Sequence, residues 1–302
     1  MNKPAYLRPG DRIRIVSPAG KVHREKILGG MDLLRQAGFE LIPGKSVFCS
    51  HDRFAGTDEQ RLADLQEALD DPLCRAVICS RGGYGAIRIA PRIKFNRFRR
   101  HPKWLTGFSD ITVLHACLQQ TGFCSIHGAM PVNYLKDGKP AVSFVELIRL
   151  LEGSANPAPE FPPCPQNREG VATGMLTGGN LSILCSLLGT PLESSTDGCI
   201  LFIEEVSEQL YKLDRMMHSL RLAGKLKKLK ALVAGQFTEM KEGDSPFGQS
   251  VEEIIRHAVR NYDYPVCFGF PAGHSKLNLP LMLGASYSLS VKPDRSVFRL
   301  IS

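Results

Sequence analysis

The sequence predicts an α/β protein: a parallel sheet with helices on both faces, followed by a second domain. Three observations predict it. Short apolar runs alternate with helical patterns through the first half. A proline-rich stretch with few apolar residues interrupts the chain near its middle. Strand-like runs return beyond it. Strands alternating with helices argue for parallel pairing, because each crossover helix returns the chain to the same sheet edge.

In chain order, Ile13-Arg14-Ile15-Val16 reads as a strand. Glu25 to Ala37 is helical, with Ile27, Leu28, Met31 and Leu34 on one face and Gly38 at the stop. Glu40-Leu41-Ile42 is the next strand. Thr57-Asp58-Glu59-Gln60 is a capping-box pattern, opening a helix with Leu62, Leu65, Ala68 and Leu69 on one side. Ala76 to Cys79 and Lys103 to Thr106 are further strands, and Ile111 to Leu118 a further helix. Right-handed crossovers would point these strands the same way. The loops at Ser17, at Arg81-Gly82-Gly83-Tyr84-Gly85 and at Gly107-Phe108-Ser109-Asp110 then share the carboxyl edge of one sheet, where such folds bind ligands.

The domain reading is 1–152, a connection over 153–170 containing Pro157, Pro159, Pro162, Pro163 and Pro165, and 171–302. Proline keeps such a connection out of regular structure. Beyond it, strands are expected at Cys199 to Ile203, Ala231 to Ala234 and Tyr287 to Val291. Helices are expected at Leu181 to Leu188, Lys212 to Leu222 and Val251 to Val259.

Composition narrows the function. The chain has 302 residues, 43% hydrophobic and 23% charged, which suits a folded globular protein. No apolar run is long enough to span a bilayer, and the N-terminus lacks a secretory h-region, so a cytosolic location is expected. Nine scattered cysteines form no CxxC pair, so buried free thiols are expected rather than disulfides or zinc. The net charge is +8, partly from Lys225, Lys227, Lys228 and Lys230. Those lysines suit a helix end. No nucleic-acid-reading motif accompanies them, though a basic surface attracts anionic small substrates.

Four segments carry candidate chemistry. Ser109 stands between a strand and a helix N-terminus, whose unpaired N–H groups suit a developing oxyanion. Its plain alternative is a helix cap, and the segment lacks the second glycine of GxSxG, position 111 being Ile. Arg81 to Gly85 offers glycine backbone for close approach, but Arg88 replaces the third glycine of a dinucleotide fingerprint. Glu204 and Glu205 end an apolar strand, where a carboxylate can orient a histidine. Alternation along a strand lets only one of them aim at it, and sends Glu205 toward solvent or the following helix. His274 follows an apolar strand and the turn Pro271-Ala272-Gly273. Together these supply a nucleophile, an acid, a base and an oxyanion hole.

The same segments resemble the LD-carboxypeptidases (muramoyltetrapeptide carboxypeptidases), a family that includes the microcin C immunity peptidases. The resemblance runs through Ser17 to Gly20, Arg53 to Thr57, Arg81 to Gly85, Gly107 to Asp110, Gly178 to Leu181, Ile200 to Glu205 with Asp214 to Met216, and Gly273-His274 with Leu279-Pro280. It implies a serine peptidase with catalytic Ser109, Glu204 and His274, and an oxyanion hole from the N–H groups of Gly83 and Asp110. It implies a flavodoxin-like N-terminal domain, a smaller β-rich, barrel-like C-terminal domain, and commonly a homodimer. The implied substrate is a cytosolic muropeptide tetrapeptide losing its terminal D-alanine in cell-wall recycling, with no metal or cofactor. Arg81, Tyr84 and Asn180 are candidate substrate contacts. Arg81, Arg88, Arg215 and Lys276 are the candidate partners of the substrate carboxylate. The alternatives are a microcin C-type peptidase or amidase acting on peptidyl-nucleotides, an inactive binding protein on the same fold, and a dinucleotide-binding enzyme.

Overall fold

The structure is a computed structural model and describes residues 1–154 and 159–301. Of the expected connection over 153–170, residues 155–158, Pro157 among them, lie outside the described residues. The chain divides into two compact units: Met1–Ala155 with Leu279–Met282, and Asn156–Asn278 with Leu283–Ser302.

The first unit opens with strands β1 (Arg12–Val16), β2 (Glu40–Pro43), β3 (Cys74–Cys79), β4 (Trp104–Gly107) and β5 (Ser125–His127). All pair in parallel, in the order β5-β4-β3-β1-β2. That is one of the two common doubly wound orders, with its reversal between β1 and β3. A strand over Leu281–Leu283 lies beyond β5 in the same sheet. The helices are α1 (Arg24–Gln36), α2 (Asp58–Asp70), α3 (Ala86–Ile89), α4 (Asn96–Arg100), α5 (Thr112–Thr121) and α6 (Val142–Leu151). A small hairpin of β6 (Leu135–Lys136) and β7 (Lys139–Pro140) precedes α6.

Local chemistry sets the helix ends. Thr57 and Gln60 form the expected capping box at the start of α2. Gly38 (φ 92°) follows α1, where a Cβ would be strained. The inward face of α1 is Ile27, Gly30, Met31 and Leu34, whereas Leu28, expected on that face, is 38% exposed. The inward face of α2 carries Arg61 and Asp64 beside Leu65, Ala68 and Leu69.

The second unit holds β8 (Glu160–Phe161), β9 (Gly170–Asn180), β10 (Cys199–Val206), β11 (Ala231–Thr238) and β12 (Val266–Cys267). With the Leu281–Leu283 strand as β13, the chain ends on β14 (Ser286–Val291) and β15 (Ser296–Leu300). The seven-stranded sheet runs β12-β11-β10-β9-β14-β15-β8. Its β9-to-β12 half is parallel and its β14-β15-β8 wing antiparallel. An antiparallel bridge also joins Val266 of β12 to Arg168, through hydrogen bonds of 2.9 and 3.1 Å. Helices α7 (Leu181–Ser186), α8 (Leu210–Leu222) and α9 (Val251–Ala258) belong to the parallel half. Leu213 and Met217 of α8 pack with Ile254 and Ile255 of α9 against Leu201, Ile203 and Leu232. β8 and the start of β9 fall inside the stretch read as an irregular connection.

Candidate active site

In the first unit, the chain turns sharply where β4 ends. Gly107 closes the strand, Phe108 is extended, and Ser109 takes φ 65° before a short 3₁₀ turn runs into α5. A side chain in this left-handed region costs on the order of 1–2 kcal/mol. Such a strand-to-helix turn holds a serine hydroxyl forward, as in hydrolase nucleophile elbows, although the GxSxG sequence is absent. The turn is anchored from behind. The Gly107 carbonyl accepts from Gly128 N at 3.1 Å and from His115 Nε2 at 2.9 Å. A carbonyl only accepts, so His115 carries its proton on Nε2, and Nδ1 accepts from Ser125 Oγ at 2.9 Å. Burial pushes this imidazole down to about 4, so it stays neutral and structural at ordinary pH.

The Arg81–Gly85 loop lies directly against the turn. A Cβ on Gly82 would meet Ser109 Cβ at 2.8 Å and Oγ at 3.0 Å, so only glycine lets this backbone approach so closely. Gly20 N donates to Gly82 O at 3.1 Å, which ties the loop after β1 to the loop after β3 at the reversal of strand order. Arg81 Nη1 donates to Lys21 O at 2.9 Å. Tyr84 packs its ring on Phe54 with centroids 5.9 Å apart. Buried Arg61 completes the clamp, donating to Gly85 O at 3.0 Å and also to Pro18 O and Asp58. Sequence reasoning missed Arg61. Its signal was an arginine at 61 on the face of Leu65 and Ala68, four and seven residues on.

Asp110 joins the two segments expected to form the oxyanion hole. Its buried carboxylate accepts from Ala86 N at 2.8 Å, fastening the end of the glycine loop to the serine turn. Burial raises its pKa to about 6, partly offset by Ala86 N–H and the charges of Arg61 and Arg53.

In the second unit, Glu204 is 0% exposed near the end of β10. Its Oε2 accepts from His274 Nδ1 at 2.7 Å and from His274 N at 3.2 Å. The carboxylate therefore fixes the tautomer: Nδ1 carries the proton, and Nε2 is the basic nitrogen of the neutral ring. Burial lowers the His274 pKa, but the hydrogen bond and charge of Glu204 outweigh it, and the net direction is up. Gly273 (φ 119°) makes the approach possible, since a Cβ there would lie 2.9 Å from Glu204 Oε2. Thr238 Oγ1 holds the His274 carbonyl at 2.7 Å, and Asn278 Oδ1 accepts from Gly273 N at 3.0 Å.

Glu205 departs from the expectation. It faces neither solvent nor α8; it is buried and accepts from Asn180 Nδ2 (2.9 Å), Ser182 N (2.7 Å) and Val206 N (2.9 Å). The reason is that β10 is an interior parallel strand with both faces covered, so alternation moves a side chain from one interior to another. Asn180 is likewise built into the fold: its Oδ1 accepts from Ile183 N and caps α7. The carboxylate-partner candidates also separate. Arg88 is paired with Asp58 at 2.8 Å, and Arg215 lies over the Tyr211 ring. Ser109, Asp110, Gly83, Arg81 and Tyr84 thus stand in the first unit, and Glu204, His274 and Asn180 in the second. Among the described residues, no group of three His, Cys, Asp or Glu side chains is arranged to hold a metal.

Comparison with known proteins decides the family. Residues 13–128 match the LD-carboxypeptidase N-terminal domain, and residues 173–289 match the LD-carboxypeptidase C-terminal domain. The chain belongs to the LD-carboxypeptidase family. Among curated LD-carboxypeptidase relatives, it is 34% identical over 300 residues to a probable murein peptide carboxypeptidase of Bacillus subtilis, covering 98% of this chain and 93% of that one. It is 30% identical over 281 residues to the murein tetrapeptide carboxypeptidase of Pseudomonas aeruginosa, covering 88% and 89%. The muramoyltetrapeptide carboxypeptidase structure from Oxalobacter formigenes superimposes with a TM-score of 0.88 at 29% identity, covering 96% of this chain and 99% of that one. As an LD-carboxypeptidase the protein is a peptide-bond hydrolase, and the resemblance drawn from its motifs is confirmed. No helix among the described residues is long and apolar enough to cross a membrane.

Proposed function

We propose that the protein is a serine carboxypeptidase that releases terminal D-alanine from cytosolic muropeptide tetrapeptides during peptidoglycan recycling. The observation that carries the chemistry is Ser109, held at φ 65° by its anchored strand-to-helix turn. The names of the relatives that match over nearly their full length support the substrate.

In this reading Ser109 Oγ attacks the amide carbonyl before the terminal residue, and His274 Nε2 takes the hydroxyl proton. Glu204 holds the imidazole by Nδ1 and stabilises the imidazolium. The N–H groups of Gly83 and Asp110 receive the oxyanion. As the C–N bond breaks, His274 returns the proton to the departing amine of D-alanine. Water, deprotonated by the same histidine, then cleaves the acyl ester and restores Ser109.

The test is to incubate purified protein with a tetrapeptide muropeptide and measure free D-alanine. Release is expected, and Ser109→Ala should fold normally while losing about a thousandfold or more in kcat. Activity of that variant within tenfold of wild type would overturn the nucleophile. Turnover of a peptidyl-nucleotide but not of the muropeptide would overturn the substrate and leave the serine mechanism standing.

A further inference from the structure

A carboxypeptidase must distinguish a terminal carboxylate from an internal amide, and a cation near the reacting centre is the direct means. Several cations of the first unit surround the serine turn, and most are already engaged. Arg61 is buried against Pro18 O, Gly85 O and Asp58. Arg88 is neutralised by Asp58, and Arg81 donates to the Lys21 carbonyl.

Arg53 differs. It is exposed, and among the described residues no carboxylate lies in ion-pair range of its guanidinium. It lies over the face of Tyr84, with Cζ 5.1 Å from the ring centroid, and Tyr84 directly follows Gly83. Its charge reaches Asp110, beside the serine. The backbone that presents it is a tight, hydrogen-bonded turn. His51 and Phe54 exchange hydrogen bonds of 3.0 and 2.9 Å, closing a two-residue hairpin with Asp52 and Arg53 at its tip. Asp52 takes φ 53°, where such a turn prefers glycine. The hairpin is docked in turn: Lys21 N donates to Arg53 O at 3.0 Å, and Ala55 N to Ala19 O at 3.2 Å. Gly20 N continues to Gly82 O, and Gly82 abuts Ser109. A short path of backbone hydrogen bonds therefore ties the Arg53 backbone to the nucleophile turn, and the guanidinium lies over Tyr84 at its end.

We propose that Arg53, lying over the Tyr84 ring, receives the terminal carboxylate of the peptide substrate. This rests on the carboxypeptidase reading of the same site. A guanidinium can give two parallel N–H···O bonds to a carboxylate, a pairing that a carboxamide cannot reproduce.

The experiment measures binding without turnover. Ser109→Ala protein is titrated by calorimetry with a stem peptide ending in D-alanine and with its C-terminal carboxamide. The free acid is expected to bind about tenfold or more tighter than the amide. Arg53→Gln in the same background should weaken the acid about ten- to a hundredfold, to the level of the amide, and leave amide binding unchanged. Arg53→Lys should restore part of the preference, and Lys21→Met should leave it intact. The proposal is overturned if the Ser109→Ala protein binds neither peptide, if it does not discriminate acid from amide, or if Arg53→Gln keeps the discrimination within twofold. The outcome is separable from the proposed activity. An Arg53-dependent preference for the acid in a protein that releases no D-alanine would sink the activity and keep the carboxylate site. Release of D-alanine with no Arg53 dependence would do the reverse.

Discussion

Asp110 and His274 both hold protons more firmly than the free side chains do, for different reasons. Burial acts on Asp110, moving it up to about 6, whereas Glu204 acts on His274 against the effect of burial. A general base works only when neutral, so activity is lost as pH falls through the raised His274 pKa. Protonating Asp110 then removes the charge that grips Ala86 N. The acid limb of log kcat/KM against pH should therefore steepen from a slope of about one toward two below about pH 6. Asp110→Asn should return it to a slope of about one. Glu204→Gln should shift the limb to lower pH and cut kcat by roughly a hundredfold or more, with a smaller change in KM. Unchanged limbs in both variants would contradict the assignments. Stability follows from the same shift. Between the ordinary aspartate pKa and about 6 the folded state binds the extra proton, so the buried charge penalises folding fully above about pH 6. Asp110→Asn should gain melting temperature over wild type at pH 8 and lose that advantage by about pH 4, which thermal scans at both pH values would check.

The elements carrying these residues were largely legible, and the exceptions have physical causes. The strands of the first unit and the capping box at Thr57 follow from alternation and end signals, and the structure places them within a few residues of the expected spans. The long strand β9 was missed because Gly170, Gly174, Gly178 and Gly179 interrupt its pattern and dilute any apolar face. The surroundings of Glu205 were misread because alternation locates solvent only on a strand with one open face, and β10 has none. Arg61 was hidden for a different reason: with Asp58 three residues earlier it reads as an ordinary surface ion pair, whereas its further partners are the carbonyls of two distant loops. The left-handed turn at Ser109 depends on the glycine loop beside it, which gives an element-level prediction. Gly82→Ala would drive a methyl group to 2.8 Å from Ser109 Cβ. It should lower kcat by about a hundredfold or more while leaving most of the melting temperature intact, because the loop is at the edge of the sheet rather than in its core. Wild-type kcat in Gly82→Ala would show that the loop yields without disturbing the nucleophile.

At the scale of the molecule, the first unit is not a continuous piece of chain. Reading the sequence as two successive domains gave residues 171–302 to the second, yet Leu279–Met282 lie with the first. Nothing in Leu279-Pro280-Leu281-Met282 marks this return, since an apolar run of that length fits either sheet. In the structure Pro280 touches the space beside Gly128, just past β5, and β13 takes the outer position next to β5. The residues of β5 are all buried, and Leu281, Met282 and Leu283 are nearly so. Removing β13 would therefore turn an interior apolar strand into an open sheet edge, the arrangement most prone to pairing with other chains. A fragment ending at residue 155 should aggregate on size exclusion or melt well below the full protein. Fusing residues 277–284 to it through a flexible linker should restore a monomeric peak and raise the melting temperature by about 2 °C or more, the shift that about 1 kcal/mol produces in a domain of this size being roughly 2–4 °C. A bare fragment as soluble and as stable as the fused one would mean that β13 only rests on this sheet, and that the first unit folds from its own residues alone.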